Sequence, residues 1–234
     1  MPNVVVLIPA RWGSKGIPNK NFRSLGGRSP VHRAAMCAYE AGLRDVVIST
    51  DHPTFEGIVT QEWGTRLLRV GAPLHTDDCA MIDVVKDALA RMPGPDDQII
   101  LLLQPTQPLR QPKHLIAAML LLEASKADSV VSVVALPTTH NPEWGLEVRG
   151  ERLYGHTKAY GLSYLGQLPS RRQDFPVRYI RDGTCYCFRR FTVSRFGDIY
   201  GQDVRPLIIP ASETCPLDTP EDWAEAERRL RERR

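Results

Sequence analysis

The chain contains no stretch in which lysines and arginines alternate with aromatic residues, no Cys-x-x-Cys pair and no apolar run that could cross a bilayer. Each absence removes a class of protein. Without a basic, aromatic-laced block, and with a net charge of only +3, no nucleic acid partner is expected; small anions suit the chain better. The longest apolar run, Leu115 to Leu122, falls short of a membrane span, so no membrane association is expected. The five cysteines, Cys37, Cys79, Cys185, Cys187 and Cys215, are expected as buried free thiols in a reducing compartment. A metal or redox reading would have to use Cys185 and Cys187, which fall on the same side of one predicted strand. Two phosphate-binding signatures, Gly-x-x-x-x-Gly-Lys-Ser/Thr and Gly-x-Gly-x-x-Gly, are missing as well. Met1 leads almost at once into the first predicted strand, which leaves no room for a signal peptide, and a cytoplasmic protein is expected. No internal repeat or low-complexity segment is present.

What is there begins at residue 4. The apolar run Val4 to Pro9 enters the loop Ala10-Arg11-Trp12-Gly13-Ser14-Lys15-Gly16-Ile17-Pro18-Asn19-Lys20-Asn21, which carries three cations and two glycines. Gly13 and Gly16 are expected to permit positive φ and close approach of main-chain N–H groups, forming a concave anion nest. Arg11 brings a planar fork of donors, and Lys15 and Lys20 bring mobile point charges, so a polyphosphate can be gripped along its length. Asn21 suits a sugar hydroxyl or a helix cap. The competing reading is a basic surface turn after an edge strand. The position after a buried strand favours a triphosphate site, because open α/β sheets place ligands at strand ends.

With 42% hydrophobic and 24% charged residues, 234 residues suit one large domain with an excursion. Strands are predicted over Val4–Pro9, Asp45–Thr50, Thr65–Val70, Gln98–Gln104 and Ser129–Val134. Helices fall between them, over Pro30–Ala41, Thr54–Trp63, Cys79–Arg91 and Lys113–Lys126. The unbroken Ile99-Ile100-Leu101-Leu102-Leu103 core reads as a central parallel strand covered on both faces. The expected fold class is therefore α/β, a doubly wound, mostly parallel sheet. From 137 to 182 the texture turns to Pro, Gly, Tyr and Arg, read as an inserted β-rich arm. The chain then returns through strands at Thr184–Arg189 and Leu207–Pro210, with a short helix at Phe191–Phe196 between them. Thr219-Pro220-Glu221-Asp222 supplies an N-cap, a first-position proline and first-turn acids for a last helix.

Four phrases resemble the CMP-sialic acid synthetases (acylneuraminate cytidylyltransferases). They are Ile8-Pro9-Ala10-Arg11-x-Gly13-Ser14-Lys15-Gly16-Ile17-Pro18-x-Lys20-Asn21, Ser49-Thr50-Asp51, Leu103-Gln104-Pro105-Thr106-Gln107-Pro108-Leu109-Arg110 and Leu217-Asp218-Thr219-Pro220-Glu221-Asp222-Trp223. A fifth, Arg171-Arg172-Gln173-Asp174 followed by Gly183-x-x-Tyr186, is similar to the acidic-sugar segment of that family. The resemblance implies a Rossmann-like nucleotidyltransferase domain over 1–234, with the 137–182 arm serving sugar binding and dimerisation. It implies transfer of CMP from CTP to the anomeric hydroxyl of a sialic acid or related nonulosonate, with release of pyrophosphate and help from Mg2+. KDO fits the Arg-Arg-Gln-Asp phrase less well. By position, Ala10, Arg11, Gly13, Ser14, Lys15, Lys20, Asn21 and Ala80 would bind the nucleotide. Gln104, Arg171, Arg172, Gln173 and Tyr186 would bind the sugar, and Asp218 the metal. Arg11, Lys15, Lys20 and Asp218 would carry the catalytic charge work, and Arg110 would serve the sugar or brace its loop. A homodimer is implied.

The chain departs from the family's pattern twice. Pro216 stands where the first carboxylate of a two-aspartate metal motif is expected, leaving Asp218 as metal ligand or helix-cap support, with Asp51 and Asp77 as candidates for the missing charge. Val70 and Met81 replace polar groups near the base, which leaves a different nucleoside triphosphate open. Two other classes remain, a catalytically impaired nucleotide-sugar binding protein and a glycosyltransferase that consumes a nucleotide sugar.

Overall fold

Apolar residues at every position of the central strands require cover on two faces, and a computed structural model supplies it with helices on both sides. The structure describes residues 3–14, 16–54, 65–71, 74, 76, 78–157, 161–163, 171 and 175–233. Their elements run β1 (Val4–Pro9), α1 (Pro30–Glu40), β2 (Val46–Thr50), β3 (Arg66–Arg69), α2 (Met81–Arg91), β4 (Ile99–Leu102), α3 (Pro112–Ser125) and β5 (Ser129–Ala135). They continue with β6 (Leu146–Arg149), β7 (Arg152–Thr157), β8 (Gly161–Ser163), β9 (Tyr179–Arg189), α4 (Arg190–Phe196), β10 (Val204–Ile208) and α5 (Pro220–Glu232). The helix expected over Thr54–Trp63 lies, beyond Thr54, outside the described residues.

Seven strands form one sheet in the order β10-β5-β9-β4-β1-β2-β3. β1 pairs in parallel with both β2 and β4, β2 with β3, and β5 with β10, while β9 runs antiparallel to β4. Alternation along each strand sorts side chains to the two faces. Val6, Ile8, Ile99, Leu101, Cys185 and Cys187 face α1 and α3, where Val31, Ala35, Leu115 and Leu122 meet them. Val5, Leu7, Ile100, Leu102, Tyr186 and Phe188 face α2 and α4, where Val85, Leu89 and Val193 meet them. The cysteines are free, and burial pushes the Cys37 and Cys185 thiols up to about 12, so they behave as small apolar side chains. A third apolar group, built on Ile17, Leu25, Leu109, Leu217 and Trp223, ties the residue 10–21 loop to α5.

Two strand expectations shift. β9 begins at Tyr179 rather than Thr184, because its first three residues are exposed and carry no core pattern. β10 spans Val204–Ile208 rather than Leu207–Pro210; it is an edge strand, where Pro206 costs no ladder bond that a neighbour needs. No helix among the described residues is long and apolar enough to cross a membrane.

The chain divides into two compact units, 1–133 with 182–234, and 134–181. In the second, β6, β7 and β8 form an antiparallel sheet, and Gly150 at φ +60° turns β6 into β7. Trp144 meets Phe175 edge-on at 5.5 Å, Asn141 Nδ2 donates to Pro176 O at 2.9 Å, and Arg178 pairs with Glu143.

Leu101 is fully buried in β4, between parallel β1 and antiparallel β9 and under α3. Leu101→Ala is expected to lower unfolding free energy by about 2–5 kcal/mol, measured by urea denaturation followed by circular dichroism.

Candidate functional site

At the carboxyl ends of β1, β2 and β4 the sheet order reverses: the chain leaves β1 toward β2 and β3, then returns to β4 on β1's other side. Open parallel sheets leave a crevice at such a point. A cleft of about 340 Å3 lies here, lined by Ala10, Arg11, Ser14, Lys20, Asn21, Ser49, Gln104, Thr106 and Asp218 among others.

The first wall is the loop after β1. Ala10 N donates to Ser49 O at 2.8 Å, which holds the loop's start against β2. Trp12 N donates to Asp51 Oδ1 at 2.6 Å, and the Trp12 ring meets His52 edge-on at 3.9 Å, with Phe22 4.6 Å from His52. Asn21 Nδ2 donates to Arg11 O at 3.0 Å, closing the loop across its base. Among the described residues of this loop Asn19 is left-handed, at φ 53°. A β-carbon at Gly13 would meet nothing within 4 Å. Gly16 matters by close approach: a β-carbon would sit 3.1 Å from Asp218 O.

The second wall is the Gln104–Arg110 turn after β4. Arg110 is buried, and its guanidinium donates to Thr184 O at 2.5 Å, Gln104 O at 2.5 Å and Gly183 O at 3.3 Å. Of its two expected roles, the structure gives it the brace. Gln107, also buried, donates to Asp182 O and Thr214 Oγ1, both at 2.5 Å, and accepts from Cys215 N at 3.0 Å. Buried polar groups with every capacity used in this way fix backbone position.

The third wall is the segment leading into α5. Leu217 N donates to Thr106 O at 2.9 Å, and Leu217 O accepts from Lys20 Nζ at 2.6 Å. Asp218 Oδ1 lies 3.5 Å from Lys20 Nζ, with the Asp218 side chain 75% exposed. The Lys20 side chain, 16% exposed, is also held by Leu217 O, so the Asp218 carboxylate is the more accessible of the two partners. The cap-support role considered for Asp218 belongs to Asp222. Its Oδ2 accepts from Asp218 N at 3.0 Å and Thr219 N at 2.8 Å, while Thr219 Oγ1 accepts from Asp222 N at 3.2 Å. That reciprocal capping box leaves the Asp218 carboxylate on the cleft wall.

Of the residues singled out in the sequence, the cleft brings together Ala10, Arg11, Ser14, Lys20, Asn21, Gln104 and Asp218. Gly13 is exposed beside it, and Ala80 is the exposed N-cap of α2, between the lining residues Cys79 and Met81. Tyr186, paired with Leu102 across β9 and β4, is packed on the α2 face of the sheet with Tyr200 at 6.5 Å and is not among the described lining residues of the cleft. Asp51 is engaged by the Trp12 backbone and Pro216 is exposed; neither lines the cleft. Arg171 is exposed in the 134–181 unit. Lys15, Asp77, Arg172 and Gln173 lie outside the described residues. Ser49 and Thr106 were missed as site residues, although the rule that ligands sit at strand ends points to Ser49 at the end of β2.

Three buried polar atoms on this wall, Ser14 Oγ, Asn21 Oδ1 and Ser49 Oγ, have no hydrogen-bond partner among the described residues. Buried polar atoms are ordinarily paired, so three together mark where a polar ligand completes the set.

Sheet order and cleft position define a Rossmann-like nucleotidyltransferase fold. The family model described as cytidylyltransferase matches residues 5–200, and the chain belongs to that family. N-acylneuraminate cytidylyltransferase of Oncorhynchus mykiss is 29% identical over 97% of this chain and 50% of its own length. CMP-N,N'-diacetyllegionaminic acid synthase of Legionella pneumophila is 27% identical over 96% of this chain and 95% of its own. The chain thus spans about half the length of the N-acylneuraminate enzymes it matches and nearly all of the Legionella enzyme. The solved structure of CMP:2-keto-3-deoxy-manno-octonic acid synthetase complexed with CTP superposes with a TM-score of 0.71 at 18% identity, covering 99% of both chains, and shares the fold.

Burial works against the Asp222 carboxylate, but N–H donors from Thr219 and Asp218 outweigh it and hold its pKa below the ordinary value of 3.8. Its stabilising effect is therefore complete above that value and fades as pH falls through the lowered one. Asp222→Ala is expected to cost about 0.5–2 kcal/mol at pH 7, with the gap to wild type closing as thermal melts are taken progressively below pH 3.8.

Proposed function

We propose that the chain transfers CMP from CTP to the anomeric hydroxyl of an acidic sugar, a sialic acid or related nonulosonate, releasing pyrophosphate. The observation that carries this is the unsatisfied polar wall of Ser14, Asn21 and Ser49 beside Arg11 and Lys20, at the switch point of a cytidylyltransferase-family sheet. The names of the relatives, an N-acylneuraminate cytidylyltransferase and a CMP-N,N'-diacetyllegionaminic acid synthase, support the substrate class.

In this reading the hydroxyl oxygen attacks the α-phosphorus in line, its proton is released, and the bond to the β-phosphate oxygen breaks. Such chemistry needs placement and charge stabilisation more than covalent help. Lys20, steadied on Leu217 O and with Asp218 beside it, lies where negative charge on the departing phosphates is neutralised. Arg11 grips the phosphates from the same loop. The α2 N-terminus, with Met81 and Val84 on the wall, adds N–H donors of favourable dipole sign.

Mg2+ fits the donor set in a limited way. Asp218 is the one carboxylate among the described lining residues, and no group of three or more His, Cys, Asp or Glu side chains suited to a metal occurs among the described residues. One carboxylate suits an ion that keeps waters and triphosphate oxygens as its remaining ligands. Bound there, Mg2+ would supply charge neutralisation on the phosphates.

The 134–181 unit exposes Leu146, Val148, Leu153, Val177, Tyr179 and Ile180, an apolar set that supports a homodimer formed through it. Arg171, Arg172 and Gln173 serve the sugar carboxylate in this reading. The buried free thiols suit the cytoplasm, where CTP is available.

Pyrophosphate release with CTP, Mg2+ and a panel of acidic sugars tests the reading. Turnover with a nonulosonate is expected, and Lys20→Ala is expected to lower kcat about 10²–10³-fold. Folded protein that binds CTP yet turns over no acidic sugar would instead mark an impaired relative, the reading that Pro216 raises; Pro216→Asp should then switch turnover on.

A further inference from the structure

Neither Arg110 nor Gly183 lines the cleft, yet both act on Gln104, which does. The Gln104 carbonyl accepts from Arg110 Nη2 at 2.5 Å and from Gln107 N at 3.3 Å. The same guanidinium holds Gly183 O at 3.3 Å and Thr184 O at 2.5 Å, so one buried cation ties the end of β4 to β9. Gly183 is left-handed, at φ +76°, and a β-carbon there would lie 2.8 Å from Gln104 Oε1. Any side chain at 183 therefore displaces the Gln104 amide.

Gln104 sits in the cleft at the end of β4, the strand between β1 and β9. Arg11, Ser14 and Lys20 belong to the loop after β1, and Ser49 to β2, whereas Gln104 lies at the β4 end next to β9. An uncharged amide, donor and acceptor at once, suits a hydroxylated or acylamino-bearing acceptor better than a phosphate.

We infer that Arg110, by holding the Gln104 carbonyl, and Gly183, by leaving room beside Gln104 Oε1, are positioning residues that place the Gln104 amide against the acceptor sugar, and so set acceptor use rather than nucleotide binding. The inference rests on the function proposed above. Arg110 is held to it by fork geometry: a lysine keeps the charge but cannot reach three carbonyls at once.

The test is a double-mutant cycle on steady-state kinetics with CTP and the preferred acidic sugar. Gly183→Ala is expected to lower kcat/KM for the sugar about 10²-fold, as displacement by about 1 Å does, with KM for CTP within about twofold of wild type. Arg110→Lys should show the same split. In a Gln104→Ala background, where no amide remains to be displaced, Gly183→Ala should cause no further loss; simple structural damage would add to it. Additive losses, parallel loss of CTP affinity, or a fully active Gly183→Ala enzyme would overturn the inference while leaving the cytidylyltransferase reading intact. A wild-type protein silent with CTP and every acidic sugar overturns both.

Discussion

Pairing of β1 with β4 is the constraint on which the rest of the molecule depends. Val4 to Leu7 lie opposite Ile99 to Leu102 in parallel register, and Leu103 N reaches Leu7 O at 2.9 Å. That ladder sets two strand ends side by side, so the cation-bearing loop after β1 opens next to Gln104. It is stable only because both faces of both strands are buried, by α1 and α3 on one side and α2 and α4 on the other. A register slip by one residue would turn every side chain to the opposite face. Cleft and core are thus specified by the same apolar pattern.

Around this pair, buried polar side chains hold the loops that the core cannot reach. Arg110 and Gln107 are buried; they spend donors on the backbone carbonyls of Thr184, Gly183 and Asp182 and on the Thr214 hydroxyl, in segments far away in sequence. Lys20 divides its task, steadying Leu217 while presenting charge to the cleft. The wall is tied by buried hydrogen bonds where loops meet the core, and three of its buried polar atoms have no partner among the described residues. Those atoms belong to Ser14, Asn21 and Ser49.

Much of the fold was legible because parallel strands announce themselves. Val4–Pro9 and the Ile99–Leu102 run have the continuous apolar character of strands covered twice, and the glycine- and lysine-bearing loop after the first needs no long-range information. The start of β9 was hidden, since Tyr179, Ile180 and Arg181 are exposed and show no alternation toward a core. The side of the sheet that Tyr186 faces follows from its pairing with Leu102, which no local pattern reveals. The brace made by Arg110 joins residues 73 and 74 positions apart, and the capping by Asp222 competes in sequence with an equally plausible Asp218. Short-range spacing names the candidates; only three-dimensional contact divides the work among them.

The proposed function requires that this cleft take a triphosphate bearing cytosine. Thermal denaturation with CTP, CDP, CMP and the other three nucleoside triphosphates, each with and without Mg2+, tests it most directly, since a ligand at 100 times its Kd stabilises the native state by about 2.7 kcal/mol. CTP with Mg2+ is expected to raise the Tm most, CDP and CMP progressively less, and the other triphosphates less than CTP. Equal shifts from all nucleotides, or none from CTP, would contradict the assignment.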